Sequence, residues 1–130
     1  MTETEAGLIA IVDDDRLIRR SLERLLKSAG LRAKSFDSAE DYLDEEDHDG
    51  ICCIILDIGL PGMSGFELHR RLAGEPSRMP VVFISARDEP EVENKAAQSG
   101  AIAFLRKPFE DDAILNAVQV GMKLLKKRRQ

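Results

Sequence analysis

The stretch Ile51-Cys52-Cys53-Ile54-Ile55-Leu56-Asp57 decides the fold. Six apolar residues run without a polar break and stop at a carboxylate. A strand with one wet face would alternate apolar and polar residues, so this run predicts a central strand buried on both faces. Strands covered on both sides belong to parallel sheets with helices packed above and below.

Upstream, Leu8-Ile9-Ala10-Ile11-Val12 is a second apolar run, closed by Asp13-Asp14-Asp15. Leu17, Ile18, Leu22, Leu25, Leu26 and Ala29 then recur at helical spacing, and Gly30 stands where a helix-terminating glycine belongs. Leu31 to Phe36 alternates as an edge strand does, with Ala33 and Lys34 suited to that position. Asp37 or Ser38 can cap a short acidic helix through about Glu46, with Tyr42 and Leu43 facing inward.

Downstream of Asp57, Ser64 caps a helix through about Ala73. Pro80 opens the strand Val81-Val82-Phe83-Ile84, closed by Ser85. A polar helix from about Glu89 to Ser99 ends at Gly100. The spacing then predicts a fifth strand over Ala101–Leu105, the pair Lys107-Pro108, and a last helix from about Glu110 to Lys127. Strand and helix alternate five times with short connections, which predicts a doubly wound α/β domain with a five-stranded parallel sheet of flavodoxin-like type, order 2-1-3-4-5. One domain is expected to fill residues 1–130, with its core at about 8–125.

Composition sets outer bounds. The 130 residues carry 19 Lys+Arg against 24 Asp+Glu, a net charge of −5, and 43% are hydrophobic. That apolar content excludes a disordered chain, and the acidic balance argues against a general nucleic-acid coat. No apolar run approaches the roughly 20 residues that span a bilayer. The acidic start, Met1-Thr2-Glu3-Thr4-Glu5, does not read as a secretory signal, so the expected location is cytoplasmic. Charge is uneven: acids crowd 37–49, whereas the last eight residues hold five bases, Lys123, Lys126, Lys127, Arg128 and Arg129. The acidic run reads as a solvated helix face, and the bases suit a helix C-terminus. Cys52 and Cys53 are the only cysteines and read as core, pointing to opposite faces of a buried strand. His48 and His69 have no metal-ligand company in the sequence.

Chemistry gathers at the strand ends. Asp13 and Asp14 follow the first strand, Asp57 the third, Ser85 the fourth and Lys107 the fifth. In an open parallel sheet, ligands bind beyond the carboxyl ends of the strands where strand order reverses, which brings the first and third strands together. Three carboxylates converging there repel one another, by about 4 kcal/mol for a pair roughly 4 Å apart at an effective dielectric near 20. A raised pKa or a bound cation relieves such a cluster, and oxygen ligands without His or Cys favour Mg2+. Any one Asp after a strand could be a mere helix cap, but capping explains neither the Asp-Asp doublet nor the lysine. A carboxylate beside Mg2+, a hydroxyl and a lysine suits phosphoryl transfer.

The motifs Ile11-Val12-Asp13-Asp14-Asp15, Leu56-Asp57-Ile58-Gly59-Leu60-Pro61-Gly62-Met63-Ser64-Gly65, Phe83-Ile84-Ser85-Ala86 and Phe104-Leu105-Arg106-Lys107-Pro108-Phe109 resemble those of a two-component response-regulator receiver domain. The stretch from Gly62 to Leu72 is similar, more loosely, to the FixJ-like branch. The resemblance implies that Asp57 accepts the phosphoryl group, that Asp14 binds Mg2+ directly and Asp13 largely through water, and that the Gly59 carbonyl completes the protein ligands. It implies Ser85 as the switch hydroxyl, Lys107 as ion-pair partner of the phosphoryl group, Phe104 at the aromatic switch position, and a cis Lys107-Pro108 bond. Gly59 and Arg87 fall at positions that tune phosphoryl lifetime in this family.

The implied function is a signalling switch rather than a metabolic enzyme. A histidine kinase or phosphotransfer protein would donate to Asp57. The surface of the fourth helix, fifth strand and fifth helix would then change for a partner or a second copy. Neither direct nucleic-acid binding nor membrane association is expected of this domain. FixJ-like proteins continue into a helix-turn-helix domain, whereas this sequence stops at Gln130, so no effector domain is expected within it. The rival readings are a phosphorylation-independent adaptor and a Mg2+-dependent phosphohydrolase. The hydrolase would place its nucleophile in an Asp-x-Asp pair after the first strand and carry a cap domain. A flavodoxin-like nucleotide carrier would need a glycine- and hydroxyl-rich loop where Asp13-Asp14-Asp15 stands.

Overall fold

The computed structural model describes residues 7–46, 48–74, 79–86 and 89–128. Five strands and five helices alternate: β1 (Leu8–Val12), α1 (Arg16–Ser28), β2 (Arg32–Phe36), α2 (Ala39–Asp44), β3 (Ile51–Asp57), α3 (Gly65–Ala73), β4 (Val81–Ser85), α4 (Pro90–Gln98), β5 (Ala103–Arg106) and α5 (Asp111–Arg128). The strands are parallel in the order β2-β1-β3-β4-β5. The predicted fold is therefore the observed one.

Local chemistry starts the helices. Asp15 caps α1 by accepting the Leu17 N–H at 2.9 Å, Ser38 caps α2 through Asp41, and Ser64 caps α3 through Glu67. Glu89 precedes α4 without a side-chain capping bond, and Pro90 supplies a pre-set backbone angle in the first turn instead.

The sheet separates two cores. Leu22 and Leu26 of α1 pack with Ile114 and Val118 of α5 against Ile9, Ile11, Ile55 and Ile84 on one face. Tyr42, Leu68, Leu72 and Ala96, from α2, α3 and α4, cover Val12, Ile54, Leu56 and Phe83 on the other. Burying such side chains is worth about 1.5–3 kcal/mol each, which is why the strand sequences tolerate so few polar residues.

Two sequence expectations need correction. The fifth strand begins at Ala103 rather than Ala101: Ile102 donates to the Val81 carbonyl at 2.8 Å, but regular pairing starts at Val82↔Ala103. Cys52 and Cys53 do not point to opposite faces. The β1–β3 register shifts from Leu8↔Ile51 to Ile9↔Cys53, so Cys52 is an extra, unpaired residue. This bulge breaks the two-residue alternation, and both cysteines pack against the core facing α1 and α5.

Candidate functional site

The strand order places the ends of β1 and β3 side by side, with β2 and β4 outside them. Connections from β1 leave toward one face and those from β3 toward the other, so a crevice opens between their carboxyl ends. Asp13, Asp14 and Asp57 meet there. Each offers one carboxylate oxygen, and these oxygens lie within 4.8 Å of one another.

Asp13 is fully buried, and hydrogen bonds hold it at its N–H, its carbonyl and Oδ1. Its N–H donates to Phe36 O at 3.1 Å, extending the β1–β2 ladder. Its carbonyl accepts from Arg19 Nη1 at 2.7 Å, and Oδ1 accepts the Asp15 N–H at 2.8 Å. Oδ2, sealed from solvent, meets the Lys107 ammonium at 2.8 Å as an ion pair and has no aligned hydrogen-bond donor among the described residues. Asp14 is exposed on the rim.

Asp57 closes β3, buried, with Oδ1 accepting the Gly59 N–H at a long 3.3 Å and facing Lys107 Nζ at 3.7 Å. Burial pushes its pKa above the usual carboxylate range, and the Asp13 charge adds to this; Lys107 and the Gly59 N–H oppose both. Lys107 shows the converse balance. Burial pulls its pKa down, but contact with Asp13 and the charges of Asp57, Asp13 and Asp15 outweigh it and hold the ammonium charged.

Ser85 ends β4, buried, and its carbonyl accepts the Lys107 N–H at 2.8 Å, which fixes the lysine backbone to the neighbouring strand. The Lys107–Pro108 peptide bond is cis. Phe104 lies half-buried on β5, paired in register with Phe83 and packed against the core facing α4. Gly59 is exposed on the β3–α3 loop. Arg87 lies outside the described residues.

The two histidines have structural surroundings. His48 stacks on Tyr42 with ring centroids 4.2 Å apart and Nε2 2.7 Å from Tyr42 O. His69 is buried edge-on to Phe83, and burial pulls its pKa down.

Sequence reasoning missed Arg19, whose guanidinium reaches back to the Asp13 carbonyl, and Gly65. A Cβ at Gly65 would lie 2.4 Å from Asp57 O and 2.9 Å from Ile58 Cα, so no larger residue fits without moving the backbone that carries Asp57. Only the Gly at the start of a helix just after the loop hinted at this contact.

The donor set is oxygen-only, anionic and clustered, and one buried carboxylate oxygen lacks a directional partner. These residues fit a hard divalent cation. A parallel sheet in this order with its acids at the ends of β1 and β3 defines a flavodoxin-like α/β protein whose site lies at the point of strand-order reversal.

Within that class, the chain belongs to the response regulator receiver domain family, whose model matches residues 9–119. Receiver domains of this family are the signalling switches of two-component systems. The chain is 36% identical to the response regulator protein TmoT of Ectopseudomonas mendocina, over 97% of this chain and 57% of that protein. It is 33% identical to the transcriptional regulatory protein FixJ of Bradyrhizobium diazoefficiens, over 92% of this chain and 58% of that one. The chain thus spans little more than half the length of these relatives. Among solved structures, the response regulator StyR superposes with a TM-score of 0.87 at 39% identity, covering 96% of this chain and 63% of that one.

Proposed function

We propose that the protein is a phosphorylation-dependent receiver in which Asp57 accepts a phosphoryl group from a histidine kinase or a histidine phosphotransfer protein. The observation that carries this reading is the cluster of Asp13, Asp14 and Asp57 oxygens within 4.8 Å, with the Lys107 ammonium against it.

An Asp57 oxygen attacks phosphorus, the O–P bond forms, and the P–N bond to the donor imidazole breaks with its electron pair leaving on nitrogen. Lys107, held charged, pairs with the transferred oxygens, and the Ser85 hydroxyl donates to them. Asp13, Asp14, Asp57 and the Gly59 carbonyl would hold Mg2+. When bound, the ion offsets the charge of the cluster and of the incoming phosphoryl group. Asp13 is the less available acceptor, because it is fully buried and held more closely, by the Asp15 N–H and by Lys107.

Ser85 and Phe104 then shift between packed arrangements, and the face made by α4, β5 and α5 changes for a partner or a second copy. In this reading residues 1–130 act as one receiver domain in the cytoplasm. The chain catalyses only its own phosphorylation and dephosphorylation, and it neither binds nucleic acid directly nor enters a membrane.

The test is incubation with Mg2+ and a small acyl phosphate, read by intact mass. The wild type gains one phosphoryl group and Asp57→Asn gains none. A folded wild type that gains nothing supports an unphosphorylated adaptor, and many turnovers per chain support a phosphohydrolase; either overturns the proposal.

A further inference from the structure

The β3–α3 loop that carries Gly59 is fastened at its far end by a residue from another element. Ile58 and Leu60 are sunk in the core and fix the near half of the loop through their side chains. Gly65 N–H donates to Ile58 O at 3.2 Å and closes the base. The crown, residues 59–62, consists of Gly59, Leu60, Pro61 and Gly62, and only Leu60 among them is buried. Here the Glu40 carboxylate of α2 reaches across, and its Oε2 accepts the Met63 N–H at 2.9 Å. Gly62 makes room for that reach. It holds φ at +74, and a Cβ there would lie 2.7 Å from Glu40 Oε2. The turn conformation and the clearance both call for glycine. Glu40 itself is exposed, so this bond is not a by-product of core packing.

We propose that Glu40 is a positioning residue for the cation and phosphoryl site, acting through the Met63 N–H to set the backbone of the loop that presents the Gly59 carbonyl. The inference rests on the reading of Asp57 and its neighbours as a Mg2+-dependent phosphoacceptor site. Glu40 touches neither ion nor phosphoryl group. Its contribution is to reduce the number of conformations the crown samples before the ion arrives, so less order has to be imposed on binding. The Met63 bond, followed by the bond to its own backbone N–H, holds the Glu40 carboxyl below the usual carboxylate range, so it remains a charged acceptor across the neutral range. α2 thereby gains a structural line to the site through the loop.

Geometry and charge are separated by three substitutions at this exposed position. Glu40→Gln keeps the reach and an acceptor oxygen but loses the charge. Glu40→Asp keeps the charge but is one methylene short. Glu40→Ala loses both. Mg2+ affinity is read by calorimetry, phosphorylation rate by intact mass with a small acyl phosphate, and the bond itself by hydrogen exchange of the Met63 amide. The expected result is that Asp and Ala variants exchange the Met63 amide faster and bind Mg2+ roughly five- to tenfold more weakly, the scale of one ordinary net hydrogen bond. The Gln variant stays within about twofold of wild type in both, which charge-driven binding would not allow. Asp and Ala variants that lose Met63 protection yet keep wild-type Mg2+ affinity overturn the positioning role alone. A wild type that neither binds Mg2+ nor gains a phosphoryl group overturns the underlying reading and this inference together.

Discussion

Lys107 lies closer to Asp13 than to Asp57: its Nζ is 2.8 Å from Asp13 Oδ2 and 3.7 Å from Asp57 Oδ1. The residue proposed to attack phosphorus is therefore the less supported of the two buried carboxylates. Asp13 has the lysine, the Asp15 N–H and Arg19 around it, whereas Asp57 has one long bond to Gly59. An engaged carboxylate makes a poor nucleophile, so the asymmetry leaves reactivity where the proposed chemistry needs it.

Burial and the Asp13 charge raise the Asp57 pKa, and this has a definite sign for stability. A carboxyl whose folded pKa exceeds its unfolded value destabilises the fold once ionised, above the raised pKa, and ceases to do so as pH falls through that value to the ordinary carboxylate range. Asp57→Asn is expected to be more stable than wild type at pH 7, on the order of 1 kcal/mol or roughly 4 °C in midpoint. The gap should close as pH falls through the raised Asp57 pKa toward the ordinary carboxylate range. Thermal melts of both proteins across that range check it, and a gap that widens toward acid contradicts it.

Mg2+ should stabilise the wild type by mass action, about 1.4 kcal/mol at tenfold excess over its dissociation constant. In Asp13→Asn the melting shift on adding Mg2+ should be strongly reduced, because that substitution removes one of the three clustered charges. Each variant is compared with itself, with and without Mg2+, so any intrinsic loss of stability cancels. An equal shift in both proteins would place the ion elsewhere.

Gly65→Ala should cost about 1–3 kcal/mol, the usual effect of overpacking, read as a lower urea midpoint. The atoms in the way are Asp57 O and Ile58 Cα, and backbone cannot rotate aside as a flexible side chain can. Phosphorylation by a small acyl phosphate should slow as well, since relief of the clash displaces Asp57. A variant with wild-type rate and midpoint contradicts this account.

Native thiol labelling should distinguish the two cysteines. Burial pushes the Cys53 thiol up to about 12, and it faces Gly121 so closely that a Cβ there would come within 2.9 Å of Sγ. Cys52 is half-buried at the bulge, with Sγ 3.4 Å from Gly50 O. An alkylating reagent near pH 8 should modify Cys52 well before Cys53, as peptide mapping would reveal. Comparable native rates at both would refute it.

Much of the fold was legible because each central strand is an uninterrupted apolar run that ends in a polar residue. Ile51–Leu56 announces burial on both faces by composition alone, and Gly30 and Ser64 mark helix ends through their immediate neighbours. The positions of Asp13, Asp57, Ser85 and Lys107 followed from the same punctuation, since topology gathers strand ends. What escaped depended on partners distant along the chain. The bulge at Cys52 exists only relative to β1, so alternation within β3 could not reveal it. The bond from Glu40 to Met63 joins residues 23 positions apart. Arg19 looked like one more exposed base on α1 until its guanidinium proved to meet the Asp13 carbonyl.

The bulge at Cys52 also separates two problems of chain length. On its C-terminal side the ladder runs without interruption from Ile9↔Cys53 to Val12↔Leu56, and this fixes where Asp57 stands. On its N-terminal side lies the connection from α2. An extra residue held out of the pairing acts as an expansion joint: a change in that connection can be absorbed at position 52 before it reaches the register that sets the acidic cluster. Deleting Cys52 would then straighten β3 while leaving Asp57 in place.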